Sequence, residues 1–277
     1  MHNFSKEFSL KSDSEFTFPF NFSLKNQELK KKFNFDNTFN FSKITYMKTW
    51  YLMMQRDQTL TDDIKDYCKK IGVDVVGFAD PNLFDRFEEP NRPQAYLNDV
   101  ATVVIIGFHL YDLTLDAYNF LMYQGRGHQF ADSVIENFCH KVKDKLAQKG
   151  YDSVVISYFP GLYLKDSAAL AGIGPIGKNN LLITRSYGSQ IRLRAIVSTA
   201  PLICGEPIFE SEYCEGCDIC MKACPANAFI DGKYTKDVCN EWAKANIKKL
   251  SEYTGIYCNK CIEECPVTKE KGVSLKK

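Results

Sequence analysis

Cysteine is concentrated near the C-terminal end of this chain, where eight of the eleven cysteines follow residue 213. They are arranged as Cys214-x2-Cys217-x2-Cys220-x3-Cys224-Pro225, then Cys239, then Cys258-x2-Cys261-x3-Cys265-Pro266. Short C-x2-C turns let several thiolates converge on one metal cluster. Each run ends in a proline, which fixes its own φ and has no N–H to donate, so the chain turns away. The spacing predicts thiolate ligation of iron–sulfur clusters.

The first four cysteines have the spacing of bacterial ferredoxins, in which the fourth cysteine binds the other cluster of a two-cluster domain. The last three repeat the end of that spacing, and Gly255 stands where the completing cysteine would lie. Two clusters need eight thiolates, and Cys239 is the remaining cysteine of the region. The crossover rule then predicts two ligand sets: Cys214, Cys217, Cys220 and Cys265 for cluster 1, and Cys224, Cys239, Cys258 and Cys261 for cluster 2.

Two structural zinc sites are an alternative, because pairs of C-x2-C motifs also bind zinc tetrahedrally. Zinc does not account for a third cysteine at the x2 spacing or for the paired Cys-Pro endings. Disulfides are disfavoured, because no secretory signal is visible and the cluster assignment uses every cysteine of the region. Iron–sulfur clusters together with free thiols indicate a reducing, cytoplasmic and oxygen-poor environment.

The composition is that of an ordinary globular protein. The chain has 277 residues, 45% of them hydrophobic, and a formal net charge of +1, so it can bury a sizeable core in one or two domains. A near-neutral charge gives no electrostatic signature of binding to nucleic acid or to anionic membrane. The strongly apolar run at residues 103–108 is far too short to span a bilayer. We therefore expect neither a membrane nor a nucleic-acid partner.

The first 46 residues differ in composition from the rest of the chain. They contain ten of the twenty phenylalanines and no Gly, Ala, Val, Cys or Arg. The lack of Arg and Ala argues against an organelle transit peptide. We interpret residues 1–46 as a disordered or misassigned N-terminal extension, with translation beginning at Met47 or Met53. The alternative is a phenylalanine-rich segment that binds a partner.

Residues 57–203 have the pattern of an α/β domain. Helices are predicted at residues 61–72 and 132–149, where apolar side chains recur at helical spacing. Buried strands are predicted at residues 73–78, 102–108 and 153–158. Cys68 and Cys139 fall on the apolar faces of the two helices, where free cysteine behaves as a small hydrophobe. Residues 204–277 then form a domain with two clusters.

A helix, a glycine-rich loop and a strand are predicted between residues 166 and 184, and a hairpin follows at residues 186–189. Three glycines allow positive φ angles and close approach of the backbone to a ligand or to another segment. The loop is not a dinucleotide-binding motif, because it follows a helix and precedes a strand. Our candidate cofactor-binding residues are Gly172, Gly174, Gly177, Lys178 and Asn179. A tight structural connection packed beneath the cluster domain is the alternative.

The order of these motifs resembles that of epoxyqueuosine reductases. The resemblance covers residues 57–270 and rests on the loop at residues 171–179, the hairpin, the first cysteine run, the lone Cys239 and the final cysteine run. It implies a nitroreductase-like α/β (α+β) domain that binds a corrinoid such as cobalamin, followed by a ferredoxin-like domain whose two [4Fe-4S] clusters supply electrons. Reductive dehalogenases share this arrangement, in which two clusters supply electrons to a corrinoid. The ligand sets that the resemblance implies agree with the two given above.

The chain departs from the family at several positions. Ser157, Tyr158 and Phe159 stand where the family has a catalytic aspartate, so we predict Tyr158 as a replacement proton donor, and Pro175 stands where the family loop has tryptophan. Twelve residues follow Cys265, whereas family members that act on tRNA often carry a helical-repeat domain there. These departures argue against queuosine chemistry on tRNA and indicate a divergent relative with a different substrate.

The sequence therefore predicts an iron–sulfur oxidoreductase. Electrons would pass from a donor such as ferredoxin or flavodoxin, through two [4Fe-4S] clusters, to a corrinoid or similar acceptor in the α/β domain. A non-catalytic electron carrier, or a reductive activator of a partner protein, is the alternative. The size of the upstream domain favours the first interpretation, and the missing aspartate favours the second.

Overall fold

The computed structural model describes residues 56–123 and 126–271. The interpretation of residues 1–46 lies outside these residues. The strands are β1 (Val75–Ala79), β2 (Thr102–His109), β3 (Tyr118–Tyr123), β4 (Arg126–Gln129), β5 (Ser153–Val155), β6 (Ile191–Ser198), β7 (Phe229–Ile230), β8 (Lys233–Tyr234), β9 (Lys248–Lys249) and β10 (Thr254–Ile256). The helices are α1 (Gln58–Lys70), α2 (Phe130–Gln148), α3 (Leu164–Leu170), α4 (Ile219–Lys222), α5 (Lys236–Ala245), α6 (Lys260–Glu263) and α7 (Pro266–Lys271). Within the described residues, none of these helices is long and apolar enough to cross a bilayer.

A four-stranded antiparallel sheet forms the core, in the order β1-β2-β6-β5. Its central strand β2 carries the apolar run at residues 103–106, in which every side chain is fully buried. Val104 and Ile106 belong to one hydrophobic cluster, and Val103 and Ile105 belong to another. Because both faces of the sheet are covered, the strand is continuously apolar instead of alternating. This confirms the predicted α/β architecture of the upstream part.

Helices α1 and α2 cover one face of this sheet. The Asp57 side chain accepts a hydrogen bond from the Leu60 amide at 2.8 Å and begins α1 as its N-cap. Cys68 on α1 and Cys139 on α2 are both fully buried in this layer, which confirms that they are core residues. The other face packs against α3 and the segment at residues 79–100.

A second sheet, in the order β4-β3-β10-β9, joins the two halves of the described chain. Strand β10 pairs with β3 through Thr254–Asn119 and Gly255–Tyr118. Its other edge pairs with β9. The cysteine-rich segment is therefore hydrogen-bonded to the upstream α/β elements.

Two predicted strands are shorter than their patterns indicated. Strand β5 ends at Val155 and not at residue 158, because Tyr158 leaves the sheet and its hydroxyl donates to Asp132. The segment before the hairpin makes two isolated β-bridges, Ile176–Leu182 and Thr184–Gly188. It winds back on its own glycine loop and adds no strand to the central sheet.

Candidate metal centre

Four cysteines from the two ends of the cysteine-rich segment surround one pocket. Cys214 ends a short 3-10 turn, Cys220 lies on α4, and Cys265 directly precedes α7. The pocket is lined by Cys214, Cys217, Cys220 and Cys265, together with Lys178, Asn179, Ile183, Tyr213 and Pro266. The structure thus brings together the four thiols that the sequence assigned to cluster 1.

The remaining four cysteines of the region form a second group. Cys239 lies on α5, Cys261 lies on α6, and Cys258 follows β10. Burial raises the pKa of the Cys261 thiol to about 12, with further contributions from the nearby thiols of Cys258, Cys239 and Cys224. Cys258 has a pKa that is raised by burial and then by Cys239 and Cys224. The four thiols assigned to cluster 2 are therefore electrostatic neighbours.

Cys220 shows the same combination of burial and neighbouring thiols as Cys258 and Cys261. Burial raises the pKa of Cys220, and the neighbouring thiols of Cys214, Cys265 and Cys217 raise it further. Metal ligation needs thiolates, so binding would release these protons and offset the repulsion among the sulfurs. Across residues 56–123 and 126–271, no three His, Cys, Asp or Glu side chains converge closely enough to hold one metal ion. Independently of this, each group of four thiols matches in number the four cysteine ligands of a [4Fe-4S] cluster.

The two thiol groups adjoin one another. Helix α4, which carries Cys220, packs against α6, which carries Cys261. The two thiols are also close enough for Cys220 to raise the pKa of Cys261. The two cysteine groups are therefore direct neighbours in the fold.

Hydrogen-bond donors approach sulfur in both groups. The Lys178 amide donates to Cys214 Sγ at 3.4 Å, and the Ala228 amide donates to Cys224 Sγ at 3.4 Å. The Tyr234 hydroxyl donates to the thiol of Cys239. Donors to ligand sulfurs are among the features by which a protein adjusts the potential of an iron–sulfur cluster.

The glycines of the loop at residues 171–180 pack against protein atoms. Gly172 ends α3 with φ +71°, and a Cβ there would lie 2.7 Å from the Glu206 carbonyl oxygen. A Cβ at Gly174 would lie 2.1 Å from the Ile183 carbonyl oxygen, and one at Gly177 would lie 2.5 Å from Ile183 Cδ1. These glycines permit close packing of the loop against neighbouring backbone and side chains.

Lys178 and Asn179 project from this loop onto the cysteine runs. The Lys178 ammonium donates to the Cys217 carbonyl oxygen at 2.8 Å. Asn179 is buried, and its side-chain amide donates to Ser189 Oγ at 3.3 Å and to the Cys261 carbonyl oxygen at 3.5 Å. The sequence singled out both residues for ligand contact, and the contacts with the cysteine runs agree with the alternative of a tight connection packed beneath the cluster domain.

Tyr158, the predicted proton donor, belongs to a polar network with Asp132 on α2 and Arg192 on β6. Its hydroxyl donates to Asp132 Oδ1 at 2.5 Å, and Arg192 Nε donates to the same oxygen at 2.7 Å. The Arg194 guanidinium lies 4.0 Å from the centre of the Tyr158 ring. Burial raises the pKa of Tyr158 to about 12, and Asp132 raises it further while Arg192 opposes the shift. The hydroxyl thus keeps its proton at neutral pH. Asp132 and Arg192 were missed because they are distant from Tyr158 in sequence.

Comparisons with known proteins fit this geometry. The family described as "4Fe-4S binding domain" matches residues 207–230, which include the first cysteine run. The epoxyqueuosine reductase of Bacillus cereus is 28% identical over an alignment of 205 residues, and the match covers 63% of this chain and 53% of the relative. The chain thus spans about half the length of the curated relatives that it first matches.

A solved structure of epoxyqueuosine reductase with an epoxyqueuosine-modified tRNA-Tyr stem loop superimposes with a TM-score of 0.59. It is 24% identical and covers 79% of this chain and 68% of that one. The chain is thus similar to epoxyqueuosine reductases in sequence and in fold. A reductive dehalogenase, whose structure was described as suggesting a mechanism for B12-dependent dehalogenation, has a TM-score of 0.56 and 18% identity. That match covers 76% of this chain and 32% of the dehalogenase. The epoxyqueuosine-reductase-like fold, with an α/β domain and a ferredoxin-like 4Fe-4S region, is therefore as the sequence predicted.

Proposed function

We propose that this protein is an iron–sulfur reductase that passes electrons through two [4Fe-4S] clusters to an acceptor in its α/β domain. Cys214, Cys217, Cys220 and Cys265 would hold cluster 1, and Cys224, Cys239, Cys258 and Cys261 would hold cluster 2. The observation that carries the proposal is the gathering of eight thiols into two adjoining groups of four. When bound, such clusters supply single electrons at low potential.

The protein's own residues hold and shield the clusters. Prolines 225 and 266 end the two cysteine runs, and amides donate to Cys214 and Cys224. Asn179 and Lys178 fasten the cysteine runs to the glycine loop of the α/β domain. We propose residues 57–203 as the domain that binds the acceptor and residues 204–277 as the domain that holds both clusters.

A corrinoid such as cobalamin is the acceptor that the family relationship favours, because one structurally similar protein is a B12-dependent dehalogenase. Gly172, Gly174, Gly177, Lys178 and Asn179 remain our candidates for contact with it, although Glu206 and Ile183 fill the space on the Cβ side of the glycines. Lys178 and Asn179 also contact the cysteine runs. Tyr158 remains our candidate for the proton donor to the reduced substrate, although its pKa of about 12 and its hydrogen bond to Asp132 make it a weaker acid than a free tyrosine.

The proposed partners are an electron donor such as ferredoxin or flavodoxin and a small-molecule or corrinoid acceptor, in a cytoplasmic and oxygen-poor setting. A related structure holds a tRNA stem loop, so the expectation that this chain does not act on nucleic acid stays a prediction.

A non-catalytic electron carrier is the second candidate. It is favoured by Ile219, an apolar side chain that is 42% exposed beside Cys220 and could meet a partner protein. It would need no acceptor site of its own.

Anaerobic purification and cluster reconstitution of the full chain would test these functions. Iron, sulfide and cobalt would be counted together, and the visible spectrum would be recorded with and without added cobalamin. About eight irons per chain with retained cobalamin would support the reductase. Eight irons without retained cobalamin would support the carrier. Zinc in place of iron, or a colourless protein, would contradict both.

A further inference from the structure

Lys178 contacts the first cysteine run in two ways. Its backbone amide donates to the sulfur of Cys214 at 3.4 Å, and its ammonium donates to the backbone carbonyl of Cys217 at 2.8 Å. Among the described residues that line this pocket, Lys178 is the one basic side chain. The contacts hold a positive charge beside four sulfurs, although Lys178 itself comes from the α/β domain.

Neighbouring acids do not cancel this charge by direct pairing. The Asp218 carboxylate also lies near Lys178, but it is paired with Lys222 at 2.8 Å. The second cysteine group has a different environment. Its sulfurs have the amides of Ala228 and Lys260 and the Tyr234 hydroxyl as neutral donors. The Lys260 ammonium also lies near Cys258, but it is paired with Glu263 at 2.7 Å.

We propose that Lys178 raises the reduction potential of cluster 1 above that of cluster 2. The inference rests on the proposed function, because it requires both clusters to be present. Reduction adds negative charge to the cluster, and a cation beside the ligands stabilises the reduced form more than the oxidised form. An amide that donates to a ligand sulfur acts in the same direction.

This assignment sets the order of electron transfer. Lys178 and Asn179 of the glycine loop line the pocket of cluster 1, whereas the loop reaches the cluster 2 ligands through the longer hydrogen bond from Asn179 to the Cys261 carbonyl oxygen at 3.5 Å. Cluster 2 is held partly by α5, which carries Cys239. A higher potential at cluster 1 draws electrons from cluster 2 towards the α/β domain. The donor would therefore reduce cluster 2, and cluster 1 would serve the acceptor.

The test is a potentiometric titration of the reconstituted full chain, monitored by electron paramagnetic resonance, which needs no substrate. Lys178→Met should lower the equilibrium constant for reduction of one cluster about tenfold, or about 59 mV for a one-electron couple, and leave the other unchanged. Lys178→Arg should keep the wild-type value. Lys69→Met, at an exposed lysine on α1, is the matched control and should change neither potential.

Salt provides a second measurement that does not depend on the variant. Lys178 is exposed, so dissolved salt can screen its charge. Raising the ionic strength from about 0.1 M to 1 M shortens the Debye length from about 10 Å to 3 Å. The reduction potential of cluster 1 in the wild-type protein should therefore fall. Unchanged potentials in Lys178→Met at full iron content would overturn the inference and leave the proposed function intact. If Lys178→Met fails to assemble clusters, the salt measurement decides: a cluster 1 potential that does not change with salt in the wild-type protein would overturn the inference. Absence of iron from the wild-type protein would instead overturn the proposed function.

Discussion

The Cys239 thiol reaches the second cysteine group from a helix, whereas a ferredoxin run would supply this ligand from a loop. The residue at the loop position is Gly255, and it lies in β10, paired with Tyr118 and Lys249. A Cβ at Gly255 would lie 3.0 Å from the Phe120 ring and 3.1 Å from Ile247 Cγ2. Position 255 thus serves sheet pairing, and α5 supplies the thiol in its place.

We expect Cys239→Ser to lose about half of the iron, because each cluster requires its own four ligands. Adding Gly255→Cys should not restore the loss, since the strand pairing fixes that position and its surroundings are crowded. Iron and sulfide analysis after anaerobic reconstitution would measure both variants, with Cys204→Ser as the control that keeps full iron. Full iron in Cys239→Ser would remove Cys239 from the ligand set.

The Tyr158 hydroxyl predicts a pH dependence of stability. Its pKa is about 12 in the folded protein and about 10 when unfolded, so the folded state holds the proton more tightly. The stabilisation is present below pH 10 and is lost as the pH rises towards 12. The free energy of unfolding from urea denaturation should fall between pH 9 and 11 by about 1 kcal/mol more in wild type than in Tyr158→Phe. Parallel pH profiles for the two proteins would contradict the buried hydrogen bond.

Whether a residue's role could be predicted depends on how far apart in sequence the interacting residues lie. The cysteine ligands could be predicted because their spacing is local and their number must match the clusters. The partners of Tyr158 could not, because Asp132 and Arg192 lie on different elements and meet it only after folding. Lys178 was recognised by its loop, but its contact with Cys214 depends on how two segments 36 residues apart pack together.

At the scale of elements, the loop at residues 171–180 acts as a rigid connection between α3 and the hairpin. Asn180 has a positive φ of 58°, and the Lys165 ammonium donates to its carbonyl oxygen at 2.5 Å. The hairpin is fixed in turn by Thr268 on α7, whose hydroxyl accepts from the Ser189 amide at 3.1 Å. The loop therefore holds Lys178 and Asn179 in place against both cysteine runs.

We expect Gly174→Ala to destabilise the protein by about 3 kcal/mol, because its methyl group would meet the Ile183 carbonyl and the backbone would have to move. Gly150→Ala is the control, since that residue has a positive φ but open space around it, and it should cost about 1 kcal/mol. Urea denaturation measures both losses. Equal losses in the two variants would show that the loop can relax.

The sequence predicted α1, α2 and β2 well because their apolar spacing reports burial directly. It predicted β5 and the segment at residues 181–184 less well. Tyr158 leaves the sheet for a side-chain partner, and the second segment pairs with its own loop. Periodicity carries no information about such competing contacts.

Over the whole molecule, the buried sheet and the cysteine groups should respond differently to loss of iron. The core residues of β2 and β6 are buried without any contribution from the clusters. In the cysteine groups, burial raises the pKa of the Cys261 thiol to about 12, so this thiol ionises when a metal replaces its proton. Chelation should lower the free energy of unfolding by about 3 kcal/mol and abolish visible absorption. The far-ultraviolet circular dichroism of the folded sheet should persist. Complete unfolding on chelation would show that the clusters also hold the α/β core together.

The pairing of β3 with β10 affects whether the cysteine-rich segment can be produced as a separate fragment. A segment excised at residue 204 would carry β10 away from β3 and expose the hydrogen-bonding edge that Tyr118 and Asn119 now cover. Open strand edges recruit other chains and promote aggregation. The cysteine-rich segment is therefore a poor choice as an electron-transfer domain for fusion to another enzyme, unless the fusion protein also supplies a strand in place of β3.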